Sequence, residues 1–312
     1  CGGTSSFLQA AGVFTYTGKD FTGVQASAVC NYTGNDFSGF QASGAVNFIS
    51  GNFSGMQTSS AFNMTNGDFT GLQTTGGVNI AGGNFAGMQA GVVNYSGTDF
   101  TGFQAGVVNV ANGFSGFQAG ILNLTKQFDS GFQLGVVNYA GRFDGGLQLG
   151  VFNWCGECED GYPIGLITIV RNGETHGNIV MEENGFLRST LTHGTKKFYN
   201  IYSVGIRTGG KQSSQGLGFG RKFESGNVFC SIEGIFNSIH EEGSAGDFMN
   251  ENQLKLTVGY MFFSRLSVYA GVSLNNYNWG QKNDGGKLNP PFVIWKSAYS
   301  KIAPGVYLGV RL

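Results

Sequence analysis

A motif of alternating apolar and polar positions recurs along the first half of the chain. The pattern F-[S/T/A]-G-x-Q begins at seven residues: Phe21, Phe37, Phe53, Phe69, Phe85, Phe100 and Phe114. Two degenerate copies end at Gln133 and Gln148. Successive glutamines are 16 residues apart from Gln9 to Gln89 and 14 or 15 residues apart afterwards. From Gln25 onward an asparagine follows each glutamine by six and later by five residues. Such a strict period is typical of repeat architectures, in which each unit stacks on the next.

The short repeat indicates a β-solenoid. A unit of about 15 residues cannot bury its own apolar face, but two strands of about five residues with two turns form one coil, and stacked coils share a core. Glycine permits positive φ at the corners, and asparagines at equivalent positions can form a ladder of side-chain amides. We therefore predict a parallel solenoid of about nine coils over residues 1–160, with coils about 4.8 Å apart. An antiparallel sheet with one strand of about ten residues per repeat is the alternative.

The second half of the chain carries no repeat and alternates with period two. Apolar residues alternate with polar or small ones in three segments, 254–262, 266–274 and 305–312. Strands with two unlike faces show this pattern. The turns near 224–227 and 263–265 are short, whereas 240–252 and 276–297 are long and polar. The pattern predicts an antiparallel β domain over residues 161–312.

Two arrangements of this second domain fit the alternation. In a small transmembrane barrel of about eight strands, apolar residues would face lipid. Its interior would then hold four charged residues: Arg207, Glu233, Lys255 and Arg311. In a soluble sheet or sandwich that caps the solenoid, the apolar face would pack on a core instead. The alternation fits both arrangements equally well, so both stay open at the level of sequence.

Composition excludes several classes of protein. Of the 312 residues, 54 are glycine and 28 are phenylalanine, and only 12% are charged. High glycine with low charge argues against a helical enzyme, and regularly spaced aromatic residues argue against disorder. The net charge is -1 without a basic cluster, so nucleic acid is not an expected partner. No apolar run reaches the roughly 18 residues of a membrane helix, which leaves a soluble protein or a membrane barrel.

Residues with distinctive chemistry are few. The three histidines, at positions 176, 193 and 240, lack the spacing of a metal site, and no G-x-S-x-G motif occurs. We therefore expect neither enzymatic activity nor a cofactor or metal. Cys155 and Cys158 form a C-x-x-C pair, and no second pair exists to complete a zinc site. We expect a structural role for this pair, such as a disulfide in the turn that ends the solenoid.

Two polar columns accompany the repeat. Aspartates precede the motif phenylalanine in four repeats, at Asp20, Asp36, Asp68 and Asp99. They could bind calcium, but the nonapeptide G-G-x-G-x-D is absent, and turn aspartates commonly cap backbone amides. Hydroxyl residues follow the phenylalanine in six repeats: Thr22, Ser38, Ser54, Thr70, Thr101 and Ser115. A hydroxyl column can order water, so ice binding is a minor alternative, although the neighbouring column is bulky.

The repeat G-x-Q-x-G-x-x-N, present at residues 102–109 and 131–138, resembles that of bacterial surface-repeat proteins of leptospires and Bacteroidota. The resemblance extends to segments 162–173, 198–206 and 309–312, and so covers nearly the whole chain. It implies a location at the bacterial surface, but this uncharacterised family has no established activity and implies no site residues. The early repeats depart from the pattern, because serine or threonine replaces the second glycine at Ser27, Ser59 and Thr75.

The expected function is that of a structural or interaction protein. We expect it at the outer membrane or surface of a Gram-negative bacterium, binding a partner protein or a glycan through the regular face of the solenoid. Cys1 would carry a lipid anchor if it is the processed N-terminus of a lipoprotein; otherwise the chain starts within a longer array, with which residues 1–9 are in phase. The leading alternative is an outer-membrane barrel protein that takes part in transport or assembly.

Overall fold

The computed structural model describes residues 5–209, 211–241, 248–263, 266–279, 290 and 292–312. These residues form strands, turns and bends, so the all-β prediction is confirmed. Within the same residues, no helix is long and apolar enough to cross a membrane. The chain divides into two compact units, Cys1–Ile167 and Thr168–Leu312.

The first unit is built from strands of two lengths. Long strands carry the F-x-G-x-Q motif or its first copy: β1 (Ser5–Ala11), β3 (Phe21–Ser27), β5 (Phe37–Ser43), β7 (Phe53–Ser59), β9 (Phe69–Thr75) and β11 (Phe85–Ala90). Four-residue strands follow the first five of them: β2 (Phe14–Thr17), β4 (Cys30–Thr33), β6 (Val46–Ile49), β8 (Phe62–Thr65) and β10 (Val78–Ala81). Two longer extended segments, β12 (Val93–Ala105) and β13 (Val108–Val170), continue the array. One coil therefore contains one long and one short strand.

Equivalent strands of successive coils pair in parallel and in register. In the long strands Gln41 lies between Gln25 and Gln57 of the neighbouring coils. The short strands pair in the same way, with Asn31 opposite Asn47. Identical side chains therefore meet from coil to coil, which is why the repeat tolerates so little variation. The predicted solenoid is confirmed, and the antiparallel alternative for these repeats is wrong.

One glycine in each repeat is required by the stacking of the coils. Gly55, in the middle of β7, has a φ of 130°, and a Cβ atom added to it would lie 2.0 Å from the carbonyl oxygen of Gly39. Any other residue there would be strained and would also collide with the preceding coil. The equivalent motif glycines from Gly23 to Gly146 also have positive φ. We predicted positive φ at the corners, but these glycines lie within the long strands. The backbones of successive coils approach each other closely at these strand positions.

The second unit is a closed antiparallel barrel. Its eight strands follow one another around the sheet: β14 (Glu174–Glu182), β15 (Phe186–Gly194), β16 (Phe198–Arg207), β17 (Gln212–Ser225), β18 (Val228–Glu241), β19 (Phe248–Phe263), β20 (Leu266–Trp279) and β22 (Ser300–Arg311). A two-residue strand, β21 (Trp295–Lys296), pairs with β22 beside this cycle. Because β14 pairs with β22, the sheet closes on itself. A closed barrel of eight strands is therefore confirmed as the fold of this unit, and the open capping sheet is wrong.

The strand register fixes the dimensions of the barrel. A row of paired residues that starts at Asn178 passes around the intervening strands and reaches β22 at Lys301. Direct pairing of β14 with β22 instead joins Asn178 to Arg311. One turn around the barrel therefore shifts the register along β22 from residue 301 to residue 311. For eight strands, this offset of ten corresponds to a tilt of about 40° and to an interior that side chains can fill.

Strands β18, β19 and β20 extend into two segments that the sequence analysis assigned to loops. Residues 240–241 belong to β18, residues 248–252 to β19 and residues 276–279 to β20. Polar residues continue the alternation there, with Glu251 buried and Asn250 exposed on opposite faces of β19. In a barrel with a polar interior, a polar residue on a strand does not signal a loop, which explains the error.

Candidate functional site

The core of the solenoid contains polar side chains in continuous ladders. Nine hydrogen bonds join the glutamines from Gln9 to Gln148, with Nε2 to Oε1 distances of 2.7–2.9 Å. Eight hydrogen bonds of 2.8–3.0 Å join the asparagines from Asn31 to Asn153. Apart from Gln9, all these amides are fully buried. The ladders therefore satisfy groups that would be costly to bury alone. The asparagine ladder was predicted; the glutamine ladder was not.

The two ladders run in opposite directions. Each glutamine donates to the coil before it, as Gln25 does to Gln9, whereas each asparagine donates to the coil after it, as Asn31 does to Asn47. The amide dipoles of one ladder therefore oppose those of the other, and the stack accumulates little net dipole. The second N–H of each asparagine binds a main-chain carbonyl, for example Asn63 to Thr74 at 2.6 Å. Both protons of the asparagine amide are thus used, which fixes its orientation.

Cys155 and Cys158 occupy core positions near the end of the solenoid, at the junction of two successive coils. Cys158 lies one repeat after Phe143 and is buried where the coils up to Phe128 place a stacked phenylalanine. Cys155 lies one repeat after Ala140, in a column of buried, mostly small side chains. Ala140 and Phe143 are themselves three positions apart, as the two cysteines are. The C-x-x-C spacing is therefore the ordinary spacing of two core columns of the repeat.

The chemistry of these cysteines is that of buried thiols. Both side chains are present as thiols in the structure. The hydrogen bond with Cys158, together with burial, raises the pKa of the Cys155 thiol far above its ordinary value. A protonated buried thiol is a weak nucleophile and a weak metal ligand. The expected disulfide stays a prediction, and Cys1, the expected lipidation site, lies outside the described residues.

The glutamine ladder stops at Pro163. This residue lies one repeat after Gln148, at the place of the next glutamine, and is buried. The side chain of proline carries no amide that could donate to Gln148. Accordingly, Oε1 of Gln148 is a buried acceptor without a hydrogen-bond partner in the described part of the chain.

A groove follows the turns that carry the motif aspartates. Oδ1 of Asp36 accepts a hydrogen bond from the amide of Asn52 at 2.7 Å, and Oδ1 of Asp68 accepts one from Asn84 at 2.7 Å. The capping interpretation of the aspartates is confirmed. Among the described residues, no group of three His, Cys, Asp or Glu side chains could hold a metal. The groove has a volume of about 310 Å³, and hydroxyl residues also line it: Thr22, Ser38, Ser54 and Thr70.

The barrel exposes apolar side chains on its outer face. The outward residues of β19 are 45–59% exposed: Leu254, Leu256, Val258, Tyr260 and Phe262. Those of β20 and β22 are 37–59% exposed: Val268, Val272, Leu274, Val306, Leu308 and Val310. The other five strands contribute further exposed apolar residues: Ile179, Met181, Leu187, Leu191, Val204, Ile206, Leu217, Phe219, Phe223, Val228, Ile232 and Phe236. All these residues together form a surface that we call the apolar belt, and every one of the eight strands contributes to it.

The interior of the barrel contains a network of ion pairs. Nε of Arg188 donates to Glu182 at 3.0 Å, and its Nη2 donates to Glu251. Nζ of Lys255 donates to the other oxygen of Glu182 at 2.6 Å. These four side chains are at most 4% exposed. Two carboxylates face two cations, so the network is neutral, and Asn237 and other amides fill the remaining hydrogen-bonding positions.

The remaining interior space is also occupied. The guanidinium of Arg311 lies 4.7 Å from the ring centroid of Phe229, and its Nε donates to Asn178 at 2.9 Å. Glu233 accepts a hydrogen bond from the hydroxyl of Tyr199 at 2.6 Å. A small cavity beside these residues has a volume of about 20 Å³. This is the size of a single water site, so side chains fill this part of the lumen.

Sequence reasoning identified part of this interior. Lys255 and Arg311 are buried inside the barrel as predicted, and Glu233 and Arg207 also face inward on partly buried positions. Glu182, Arg188 and Glu251 were missed. The sequence could have predicted the inward position of Arg188. Side chains alternate between the two faces of a strand, so Arg188 lies on the face opposite Leu187 and Leu191.

The three histidines have separate partners. Nε2 of His176 lies 3.5 Å from Glu174. His193 accepts a hydrogen bond from the amide of Val170 at 2.9 Å, and His240 lies 3.3 Å from the hydroxyl of Ser238. These contacts are those of structural residues on strands or strand ends.

Comparisons with known proteins give one distant structural match. No family model matches the chain, and no curated protein matches it in sequence. Among solved structures, the chain is similar to the crystal structure of Neisserial surface protein A (NspA), with 13% identity and a TM-score of 0.25. That match covers 45% of this chain and 93% of the other.

Proposed function

We propose that this chain is an integral outer-membrane protein in which a closed, non-conducting barrel anchors a β-solenoid that acts as an interaction module. The observation that carries the proposal is the polarity of the barrel, which is apolar outside and ionic inside. A water-soluble barrel would have the opposite arrangement, because burial of apolar surface drives its folding. A transmembrane barrel needs an apolar outer band and tolerates polar residues within.

The apolar belt is too extensive for a surface in contact with water. Soluble monomers rarely expose contiguous apolar patches larger than about 300–600 Å². Here all eight strands contribute exposed aliphatic or aromatic residues to the belt. Outer-membrane barrels bury a band of this kind, about 25 Å tall, in the lipid. Lipid is therefore the environment that this face of the barrel fits best.

The interior favours an anchor over a pore. An offset of ten residues with eight strands leaves room for side chains and little more. The neutral network of Glu182, Arg188, Glu251 and Lys255 occupies that room. This arrangement supports an anchoring role and speaks against the transport role that was our leading alternative.

The ends of the barrel differ in the length of their connections. The chain enters at the end that carries three short connections, residues 195–197, 226–227 and 264–265. The other end carries residues 183–185, 208–211, 242–247 and 280–299. In outer-membrane barrels, short turns face the periplasm and longer loops face outward. The proposal therefore puts the solenoid sequence on the periplasmic side, in contrast to the outer-surface location that we expected.

The solenoid offers a surface for a partner protein or a glycan. Its groove presents carboxylate and hydroxyl oxygens from four successive coils at a repeat of about 4.8 Å. Regular, extended faces of solenoids commonly bind partners in this way. We also propose that the chain is related to bacterial surface-repeat proteins.

Fractionation of natively expressed protein tests the membrane location. We expect recovery in the outer-membrane fraction, resistance to carbonate extraction, and faster gel migration of unheated than of boiled samples in detergent. Recovery as a detergent-independent soluble protein would refute the proposal. In planar bilayers, the purified protein should give no steady conductance, and a stable open channel would restore the transport alternative.

Labelling of single cysteines tests the orientation. Thr70→Cys lies on the solenoid and Ala298→Cys lies at the long-connection end of the barrel, and both positions are exposed. With a membrane-impermeant maleimide on intact cells, only Ala298→Cys should react above the wild-type background. Both should react after permeabilisation. Labelling of Thr70→Cys on intact cells would reverse the orientation without affecting the membrane location.

A further inference from the structure

A groove of about 1030 Å³ crosses the outer face of the barrel between β15 and β20. Four members of the apolar belt line it, and they are 41–61% exposed: Leu191, Val204, Leu217 and Phe236. Its other part is lined by the side-chain amides of Asn250, Asn252 and Asn278. The groove therefore joins an apolar wall to an amide rim. We call it the belt groove.

The belt groove follows the slant of the hydrogen-bonded rows. One such row pairs Leu191 with Tyr202, then Leu217, Phe236 and Asn252 on successive strands. Because the strands tilt by about 40°, each step along a row climbs about 3 Å toward the end with the longer connections. The apolar wall thus lies within the belt, and the asparagines lie at its upper border.

The rim has unused hydrogen-bonding capacity and no charge. Among the described residues, none forms a side-chain hydrogen bond with Asn250, Asn252 or Asn278. Each primary amide offers two donors and one carbonyl acceptor. In the described part of the chain, the lining contains no Lys, Arg, Asp or Glu. A phosphate headgroup would therefore find no cation among the described lining residues, whereas sugar hydroxyls match amides as both donors and acceptors.

We propose that the belt groove binds a glycolipid, with an acyl chain along the apolar wall and an uncharged, hydroxyl-bearing headgroup on the asparagine rim. This inference rests on the proposed membrane location. A second groove of about 490 Å³ shares Ser189 and Val204 with the first and is lined mainly by apolar residues such as Ile179, Leu187 and Ile206. It provides room for a second chain, as a two-chain lipid requires.

The test uses the full chain, purified in a polyoxyethylene detergent that carries no sugar. A synthetic dialkyl glucoside is titrated, and bound lipid is counted by native mass spectrometry. We expect binding of one glucoside, and binding at least about tenfold weaker in the double variant Asn250→Leu/Asn252→Leu, which loses two or more hydrogen bonds. The variant Asn250→Gln/Asn252→Gln keeps the amides and should stay within about threefold of wild type.

Asn227→Leu is the matched control, because Asn227 is an exposed asparagine at the opposite end of the barrel. It should bind the glucoside like wild type. Equal affinity for phosphatidylglycerol or for a sugar-free diacylglycerol would overturn the proposal, as would unchanged binding in the leucine double variant. A protein dimer that this double variant abolishes would identify a second copy as the occupant and also overturn it.

Gel migration separates this inference from the proposed function. Protein that shows heat-modifiable migration but binds no glucoside refutes the glycolipid site alone. Wild-type protein without heat-modifiable migration refutes the membrane location, and the glycolipid site with it. Leucine at an outward position suits a lipid-facing strand, so the double variant should retain the migration shift of wild type.

Discussion

The solenoid buries neutral amides in two one-dimensional ladders, whereas the barrel buries two carboxylates and two cations in one compact network. Both interiors are polar, yet the reasons differ. In the solenoid each amide meets its own copy one coil away, so any number of coils satisfies the same hydrogen bonds. In the barrel the partners come from β14, β15 and β19, so the network depends on closure and on one specific register.

The outer faces of the two units also differ, in how continuous their apolar surface is. The solenoid exposes hydroxyl residues such as Thr22 and Ser54 together with apolar ones such as Phe132 and Val136, whereas exposed apolar residues occur on all eight strands of the barrel. A polar core alone therefore says nothing about the surrounding solvent, because both units have one. The polarity of the outer face carries that information, and the belt that runs over all eight strands makes the barrel the unit suited to lipid.

Among the substitutions considered, loss of the ionic network should reduce the stability of its unit most. Arg188→Leu removes the cation between Glu182 and Glu251, and only Lys255 remains to compensate two buried carboxylates. We expect the free energy of unfolding of the barrel to fall by about 3–5 kcal/mol, measured by urea titration of the folded protein in lipid vesicles. Arg207→Leu, at a partly buried inward position, serves as control and should cost less than half as much. Equal losses in the two variants would show that the ion pairs of Arg188 contribute no more to stability than the contacts of Arg207.

A charged residue on the outer face should destabilise the barrel much more than the solenoid. Leu256→Arg introduces a charge into the apolar belt, and we expect it to cost about 2–4 kcal/mol in lipid and to reduce insertion. Met56→Arg makes a comparable change at an exposed position of the solenoid and should alter stability by less than about 0.5 kcal/mol. Folding yields in vesicles and thermal unfolding of both variants provide the measurement. A harmless Leu256→Arg would contradict a lipid-facing belt.

Position along the ladder should set the cost of removing a glutamine. Gln57→Leu leaves the Oε1 of Gln41 without its donor and takes the acceptor from Gln73, so a loss of about 2 kcal/mol is expected. Gln148→Leu deletes a residue whose Oε1 already has no partner among the described residues, and its cost should be about half as large. Denaturant unfolding followed by circular dichroism compares them. A larger loss at position 148 would argue against a ladder of equivalent bonds.

How far the sequence predicts this structure depends on the range of the interactions. The parallel register follows from the repeat, because Gln25 and Gln41 occupy identical places in adjacent units. Closure of the barrel depends on the pairing of Asn178 with Arg311, which are far apart in sequence and show no matching pattern. The amide rim was likewise hidden, since Asn250 and Asn252 read as loop residues until the strand around them was known.

The smallest effect is expected at the C-x-x-C pair. Cys155 occupies a column that also contains Ala111 and Ala140, so Cys155→Ala should change the free energy of unfolding by less than about 1 kcal/mol. Because the pKa of the Cys155 thiol is raised, the group stays protonated and should resist alkylation in folded protein even at mildly alkaline pH. If both thiols are free, as in the structure, reductant should not change the stability. A drop of about 2–5 kcal/mol on reduction would instead establish the disulfide, and with it a covalent link between two successive coils that the repeat register does not require.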